Sequence, residues 1–177
     1  MPSIRVRSAT ADDASLLHAL AAATFALACP PGTTAESIDE FVATQLSEQR
    51  FAEYVADSQR AILLVEADGA AVGYTMLVIA EPSDPDVAQS VAVRPSVELS
   101  KFYLLESAHG TGAAAALMSA TVERARERGA ASVWLGVNKL NARANRFYEK
   151  SGFVAVGSKR FALGGRWEDD FVRARSL

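Results

Sequence analysis

The residues best suited to chemistry lie between Leu104 and Leu117, where an apolar run passes through His109-Gly110-Thr111-Gly112 into Ala113-Ala114-Ala115-Ala116. Glycine reaches positive φ without steric cost and lets a ligand approach the main chain. The first amides of the helix that follows lack intrahelical partners and sit at the positive end of its dipole. Together these features make a socket for phosphate oxygens, and the small alanines let a bulky ligand lie across it. Gly110 and Gly112 equally suit a plain tight turn, because short glycine motifs recur by chance. Two nucleotide fingerprints fail. A dinucleotide site needs a third glycine where Ala115 stands, and a carboxylate near the end of the next strand, which closes on Asn138-Lys139. A nucleoside triphosphate loop needs Gly-Lys-Ser/Thr, which the chain does not contain. A phosphate-bearing ligand of another kind remains, and coenzyme A fits.

Three further residues stand out. Asn141 and Tyr148 are seven positions apart, two helical turns, with Ala144 between them, so all three share one face that can line a ligand arm. Core packing for Phe147 and Tyr148, and helix capping for Asn141, are the plainer readings of the same positions. Glu98 opens the strand that leads into the glycine turn, as a reactive carboxylate or as a solvated strand end. Ser107 and His109 lie close together, but no Gly-x-Ser-x-Gly elbow accompanies them, so a serine nucleophile is set aside. Cys29 is the one cysteine and His18 and His109 are the only histidines, which leaves no disulfide framework and little to hold zinc. No metal site is expected.

The elements that must position these groups follow from pattern and punctuation. Ile4–Arg7 alternates as a strand. Thr10 or Asp12 caps a helix that runs to about Leu27, and Cys29-Pro30-Pro31-Gly32 breaks it. A second helix from Thr34 or Ala35 puts Ile38, Phe41, Val42 and Leu46 on one face. Ala61–Glu66 and Val72–Ala80 form a hairpin about Asp68-Gly69. Glu81–Ser96, rich in Pro, Ser and Asp, reads as a long hairpin or loop with Val87–Val93 extended. A strand over Glu98–Leu105, a helix over Gly112–Arg128 ended by Gly129, a strand over Ser132–Val137 and a helix over Asn141–Lys150 ended by Gly152 follow. Phe153–Val156 and Asp170–Arg175 are late strands. The fold class is mixed α/β in one domain over residues 1–177, with helices on both faces of a sheet. At 177 residues, 50% hydrophobic, with a net charge of −3, the chain has ordinary globular composition. It has no basic stripe for nucleic acid and no apolar span or leader, so a cytoplasmic place without membrane contact is expected.

In order and at spacing, these motifs resemble the GNAT acetyltransferase superfamily. That family's signature is Arg/Gln-x-x-Gly-x-Gly/Ala, and His109-Gly110-Thr111-Gly112-Ala113-Ala114 matches it except at the first position. Trp134-Leu135-Gly136-Val137, Asn141-Ala142-Arg143-Ala144 and Phe147-Tyr148-Glu149-Lys150-Ser151-Gly152-Phe153 continue the match. The resemblance implies a mostly antiparallel twisted sheet, splayed in the middle, and direct transfer of an acetyl group from acetyl-CoA to a primary amine. It implies cofactor contacts from Phe102, Tyr103, Leu104, His109, Gly110, Thr111, Gly112, Ala113, Ala114, Asn141 and Ala144. Leu104 would offer an oxyanion donor through its N–H, worth about 3 kcal/mol in a transition state. Tyr148 would be the general acid and Glu98 the base, acting through water. Relatives in the family are often dimers, so a homodimer is compatible with the sequence.

The C-terminal half is most similar to the bacterial PaiA-type polyamine N-acetyltransferases, through the motifs above, Gly157-x-x-x-Phe161-x-x-Gly164 and Asp170. Asn138, Lys159 and His109 depart from that branch, and Lys159 beside an acceptor groove would repel a polyamine. The groove is expected between the first two helices and the last strand pair, walled by Cys29–Thr34 and Ala162–Trp167, with Phe25 and Trp167 touching substrate. The partner is thus a small-molecule amine, with a polyamine among the candidates. Acetylation of protein N-termini or lysines, and a non-catalytic CoA-binding module, are the alternatives.

Overall fold

The computed structural model describes all 177 residues. Seven strands form one sheet: β1 (Ile4–Ser8), β2 (Arg60–Ala67), β3 (Ala70–Val78), β4 (Ser96–Leu104), β5 (Ser132–Asn138), β6 (Val154–Leu163) and β7 (Arg166–Ser176), in the order β1-β2-β3-β4-β5-β7-β6. All neighbours run antiparallel except β4 and β5, which are parallel and pair only from Ser96–Glu98 to Ser132–Trp134. Past those residues β4 keeps its partner β3 and β5 keeps β7, so a gap opens between them. The expected splayed sheet with helices on both faces is what the chain forms.

One face carries α1 (Ala14–Ala28), α2 (Ala35–Gln45) and α3 (Glu48–Ala56). Their apolar stripes close a core of Leu17, Leu20, Phe25, Leu46 and Phe51 on Leu64, Tyr74 and Met76, with Ile38, Phe41 and Val42 packed against it as their spacing requires. The same face carries a short α4 (Pro85–Ser90), whose Val87 packs with Trp134 and Val172. The opposite face carries α5 (Ala113–Glu127) and α6 (Ala142–Lys150), which cover Leu99, Val133, Leu135, Val137 and Phe153. No helix is long and apolar enough to cross a membrane.

Several expectations need correction. Glu81–Ser96 is not a loop with Val87–Val93 extended, because Asp84 accepts from the Asp86 amide as an N-cap, Pro85 takes the first helical position, and α4 forms. Residues 48–56, which drew no sequence reading, fold as α3 behind the Ser47 cap. The first helix begins at Ala14, after a 3-10 turn at Ala11–Asp13. Glu98 does not open its strand; pairing starts at Ser96. Phe153 precedes β6, which runs on to Leu163 and turns through Gly164-Gly165 into β7.

The entry of α1 is fixed by a clasp. Arg7 on β1 donates from both terminal guanidinium nitrogens to Asp13 at 2.9 Å and from Nε to Glu66 at 2.7 Å. The Arg7 guanidinium holds the Asp13 carboxyl down at about 2, aided by the Thr10 amide, against the cost of burial. Since this folded value lies below the unfolded one, the clasp stabilises above the ordinary aspartate pKa, and its contribution disappears as pH falls through about 2. Asp13→Asn should therefore remove on the order of 2 kcal/mol at pH 7 and flatten the acid limb of stability between about pH 4 and 2. Denaturant titrations across that range read both effects; parallel acid limbs in the two proteins would show that the clasp does not set them.

Candidate active site

The glycine turn folds as its residue types require. A 3-10 turn at Glu106–Ala108 follows β4, then Gly110 and Gly112 take φ of 77° and 90°. Gly112 occupies the N-cap of α5, where a left-handed backbone suits glycine. Thr111 Oγ1 donates to Ala108 O at 2.6 Å and closes the turn. The first helical backbone bond runs from Ala116 N to Gly112 O, so the amides of Gly110, Gly112, Ala114 and Ala115 reach no backbone acceptor. A Cβ built on Gly110 or Gly112 meets nothing within 4 Å, so open space lies outside both. His109 Nδ1 is buried without a partner at the same place.

These groups border a cleft of about 320 Å³ lined by Phe102, Tyr103, Leu104, His109, Gly110, Ala114, Asn141, Arg143, Ala144, Phe147 and Tyr148. Asn141 accepts the Ala144 amide at 3.1 Å and caps α6, so capping and cleft lining coexist in one residue. The two-turn spacing does place Asn141, Ala144 and Tyr148 together. Thr111 and Ala113 do not present side chains there: Thr111 turns back on its own loop, and the Ala113 methyl is buried in the core beneath α5.

An inner cavity of about 260 Å³ meets this cleft, with Ala28, Phe102, Tyr103, Asn141, Ala144 and Tyr148 lining both. Its bottom is the gap between β4 and β5. Leu105 N–H bonds to Val72 O on β3 at 2.8 Å, so by the alternation of a strand the Leu104 N–H faces the gap. Its roof is aromatic: Phe25 stacks on Phe41 at 4.5 Å, Phe41 meets Phe161 at 6.1 Å, and Phe25 meets Tyr103 at 6.5 Å. Its charged lining is Glu98, Lys101, Lys159, Glu168 and Asp170.

The expected walls are only partly right. Cys29, Pro30 and Leu163 line the cavity, but Trp167 does not. Trp167 lies between Glu168 and Arg166, opposite Ala162, and strand alternation turns it to the other side of the hairpin, 67% exposed. Phe25 lines the cavity. Lys101 and Glu168 escaped the sequence reading, and Phe41, read only as part of a helix face, lines the cavity as well. The signal of Lys101 and Glu168 was faint, because each reaches the cavity through strand register rather than through a local motif.

Desolvation sets the electrostatics. Burial pushes the Glu98 carboxyl up, while Lys159, Lys101 and Arg60 pull it back. Burial brings the Lys101 ammonium down to about 8 against the field of Glu98. Burial raises the Tyr148 phenol well above its ordinary value, so the hydroxyl keeps its proton at any physiological pH. Phe102, Phe147 and Phe153 surround that ring at 6.3, 5.5 and 5.9 Å. Burial also pushes the Cys29 thiol up to about 11, which leaves it protonated and a poor nucleophile. The arrangement offers unpaired amides for an anion, a strand N–H aimed into a gap, a protonated phenol and a carboxylate, all within two connected hollows.

Known proteins agree with this geometry. A protein of Mycobacterium tuberculosis named as an uncharacterized N-acetyltransferase is 50% identical over 165 residues, covering 93% of this chain and 98% of that relative. The PaiA N-acetyltransferase of Thermoplasma acidophilum, solved in complex with coenzyme A, superposes with a TM-score of 0.78 at 20% identity, covering 99% of each chain. The ribosomal-protein-S18-alanine N-acetyltransferase of Escherichia coli superposes with a TM-score of 0.70 at 18% identity, covering 99% of this chain and 94% of that one. Residues 25–153 match the acetyltransferase (GNAT) family itself. With that match spanning the glycine turn, the gap strand and Tyr148, the chain belongs to the GNAT acetyltransferase family.

Proposed function

We propose that the chain transfers an acetyl group from acetyl-CoA directly to the primary amine of a small molecule. One observation carries this reading: the cleft beside the unpaired amides of Gly110, Gly112, Ala114 and Ala115 and the inner cavity beside Glu98 meet at Tyr148 and the β4–β5 gap. A phosphate-bearing arm fits the first hollow, and an amine fits the second. The relative named PaiA, with its bound coenzyme A, supports the choice of cofactor.

Acetyl-CoA supplies the activated acyl group as a thioester. Gly110, Gly112 and the first turn of α5 would hold its pyrophosphate through main-chain amides, with His109 and Arg143 alongside. Asn141 and Ala144 would flank the arm that leads inward. The Leu104 N–H would stabilise negative charge that develops on the carbonyl oxygen. An alkylamine with a pKa of about 10.4 is neutral in roughly four molecules of ten thousand at pH 7. Glu98, its carboxyl raised by burial, would take the proton that the amine sheds. Tyr148 would give its proton to the leaving sulfur. The carbon–nitrogen bond forms, the carbon–sulfur bond breaks, and each proton has a named destination.

Enclosure favours a small acceptor over a protein. α1 and α2 roof the inner cavity with Phe25 and Phe41, and about 260 Å³ admits a small amine rather than a folded partner's backbone. A non-catalytic CoA-binding module would have no use for a half-buried, unpaired carboxylate and a protonated phenol lining one hollow.

Tyr148→Phe keeps the ring and its packing and removes only the acid. Turnover should fall at least tenfold in a thiol-release assay while coenzyme A affinity stays within a few-fold; full turnover would take Tyr148 out of the acid role. Gly112→Val forces a β-branched residue to φ near 90° and fills the open space beside the amides. Calorimetry should then detect no coenzyme A binding, and normal binding would overturn the phosphate socket. For Glu98, the carboxylate is the working form and its pKa is raised, so kcat/KM should decline with falling pH at values above the ordinary glutamate range. That acid limb should vanish in Glu98→Gln, and its persistence would assign the base elsewhere.

A further inference from the structure

The charged lining of the inner cavity is already partly paired. Asp170 faces Lys159 Nζ at 3.8 Å, and Glu168 faces Arg166 Nη2 at 3.6 Å, whereas Glu98 makes no ion pair. The Lys159 contact depends on a feature two strands away. Lys159 sits on β6 opposite Asp170 of β7, and its arm crosses β7 to lie over Gly136 of β5. A Cβ at position 136 would come within 2.4 Å of Lys159 Cε and 3.2 Å of Asp170 Oδ2. The missing side chain of Gly136 is therefore the channel through which the Lys159 ammonium enters the cavity. Lys159 is also the leading cationic influence on Glu98, so its charge is felt across the hollow.

We propose that Lys159 is a resident counter-ion that selects the acceptor: the cavity takes an amine with a single cationic centre and an aromatic or apolar body, and disfavours diamines and polyamines. A second ammonium group, several ångströms from the reacting amine, needs a carboxylate of its own. Asp170 lines the same cavity as Glu98, but Lys159 is already paired with it. Glu98 alone is left, and one unpaired carboxylate serves one amine. Phe25, Phe41, Phe161 and Tyr103 make the roof of the hollow apolar, which rewards an aromatic body, and Lys101 adds a second resident cation to its lining, which disfavours a second charge on the amine.

This inference rests on the acetyltransferase reading, and the experiment separates the two. With acetyl-CoA and the full chain, thiol release is followed for 2-phenylethylamine and for spermidine, and binding of each amine in the presence of coenzyme A is followed by calorimetry. The wild-type chain should favour phenylethylamine by at least tenfold in kcat/KM and should bind it more tightly. Lys159→Met keeps the arm and removes the charge, and should narrow that ratio at least tenfold, mainly through a lower KM for spermidine. Gly136→Ala displaces the arm with the lysine still present, and should move the ratio in the same direction. Preference for spermidine by the wild-type chain, a ratio unmoved in both variants, or turnover confined to peptide amines would each overturn the selection rule. Absence of thiol release with any amine, while phenylethylamine still binds more tightly than spermidine, would remove the acetyltransferase reading and uphold the charge rule.

Discussion

Three residue pairs hold β4 to β5, and the molecule's chemistry depends on their being only three. Beyond Glu98 the two strands part, and both leave main-chain groups without a strand partner inside the protein. Buried backbone donors are seldom left unpaired, because the cost approaches that of a lost hydrogen bond. A gap of this kind is tolerable where a ligand or water completes it. Its cause lies in β4 itself. Met76 pairs with Lys101 and Leu77 with Leu99, which leaves Ser100 as an extra residue. A bulge bends its strand and sharpens the twist. From there β4 follows β3 away from β5, and Phe102 and Tyr148 fill the wedge on the α6 side.

A gap is useful only if what flanks it is held still, and α6 is held by a buried cation. Arg173 on β7, 4% exposed, donates to Asn145 Oδ1 at 2.9 Å, to Phe153 O at 3.3 Å and to Glu149 Oε1 at 2.9 Å. Asn145 in turn donates to Asn138 O and Asn141 O, at the end of β5 and the cap of α6. Every nitrogen of the guanidinium therefore has an acceptor, which is the condition under which a buried charge is tolerated. The network joins β5, α6 and β7, and so fixes the helix that carries Tyr148.

Much of this was legible in the chain, for reasons that also explain what was not. Gly110, Gly112, Asn141 and Tyr148 carry local signals: positive φ, a helix start, a two-turn spacing. Each is decided within a dozen residues, so sequence reading places them. Asp84-Pro85 carried an equally local signal, an N-cap followed by proline at the first helical position, but the surrounding Pro, Ser and Asp made the segment read as loop and hid α4. Trp167 failed for a different reason. Its face depends on strand register, and a one-residue difference in phase separates the cavity from solvent. The Lys159–Gly136–Asp170 arrangement is less accessible still, because it joins three strands through one absent side chain.

The same dryness acts on Glu98, Lys101, Tyr103, Tyr148 and Asp170, and in each toward the neutral form. It raises Glu98, raises Tyr148 and brings Lys101 down to about 8. For a reaction that moves a proton from an amine and delivers one to a sulfur, this common direction is consistent with the assigned roles. A carboxylate made uncomfortable by burial is a stronger base than one in water, and a phenol whose pKa is raised keeps its proton until a strong base demands it. A leaving thiolate formed in the same medium suffers the same penalty, so its demand for a proton rises together with the reluctance of Tyr148 to give one up. The aromatic side chains that close the hollow therefore also tune its acids and bases. The apolar packing that makes α1, α2 and α6 stable is what sets the proton affinities at the centre of the sheet.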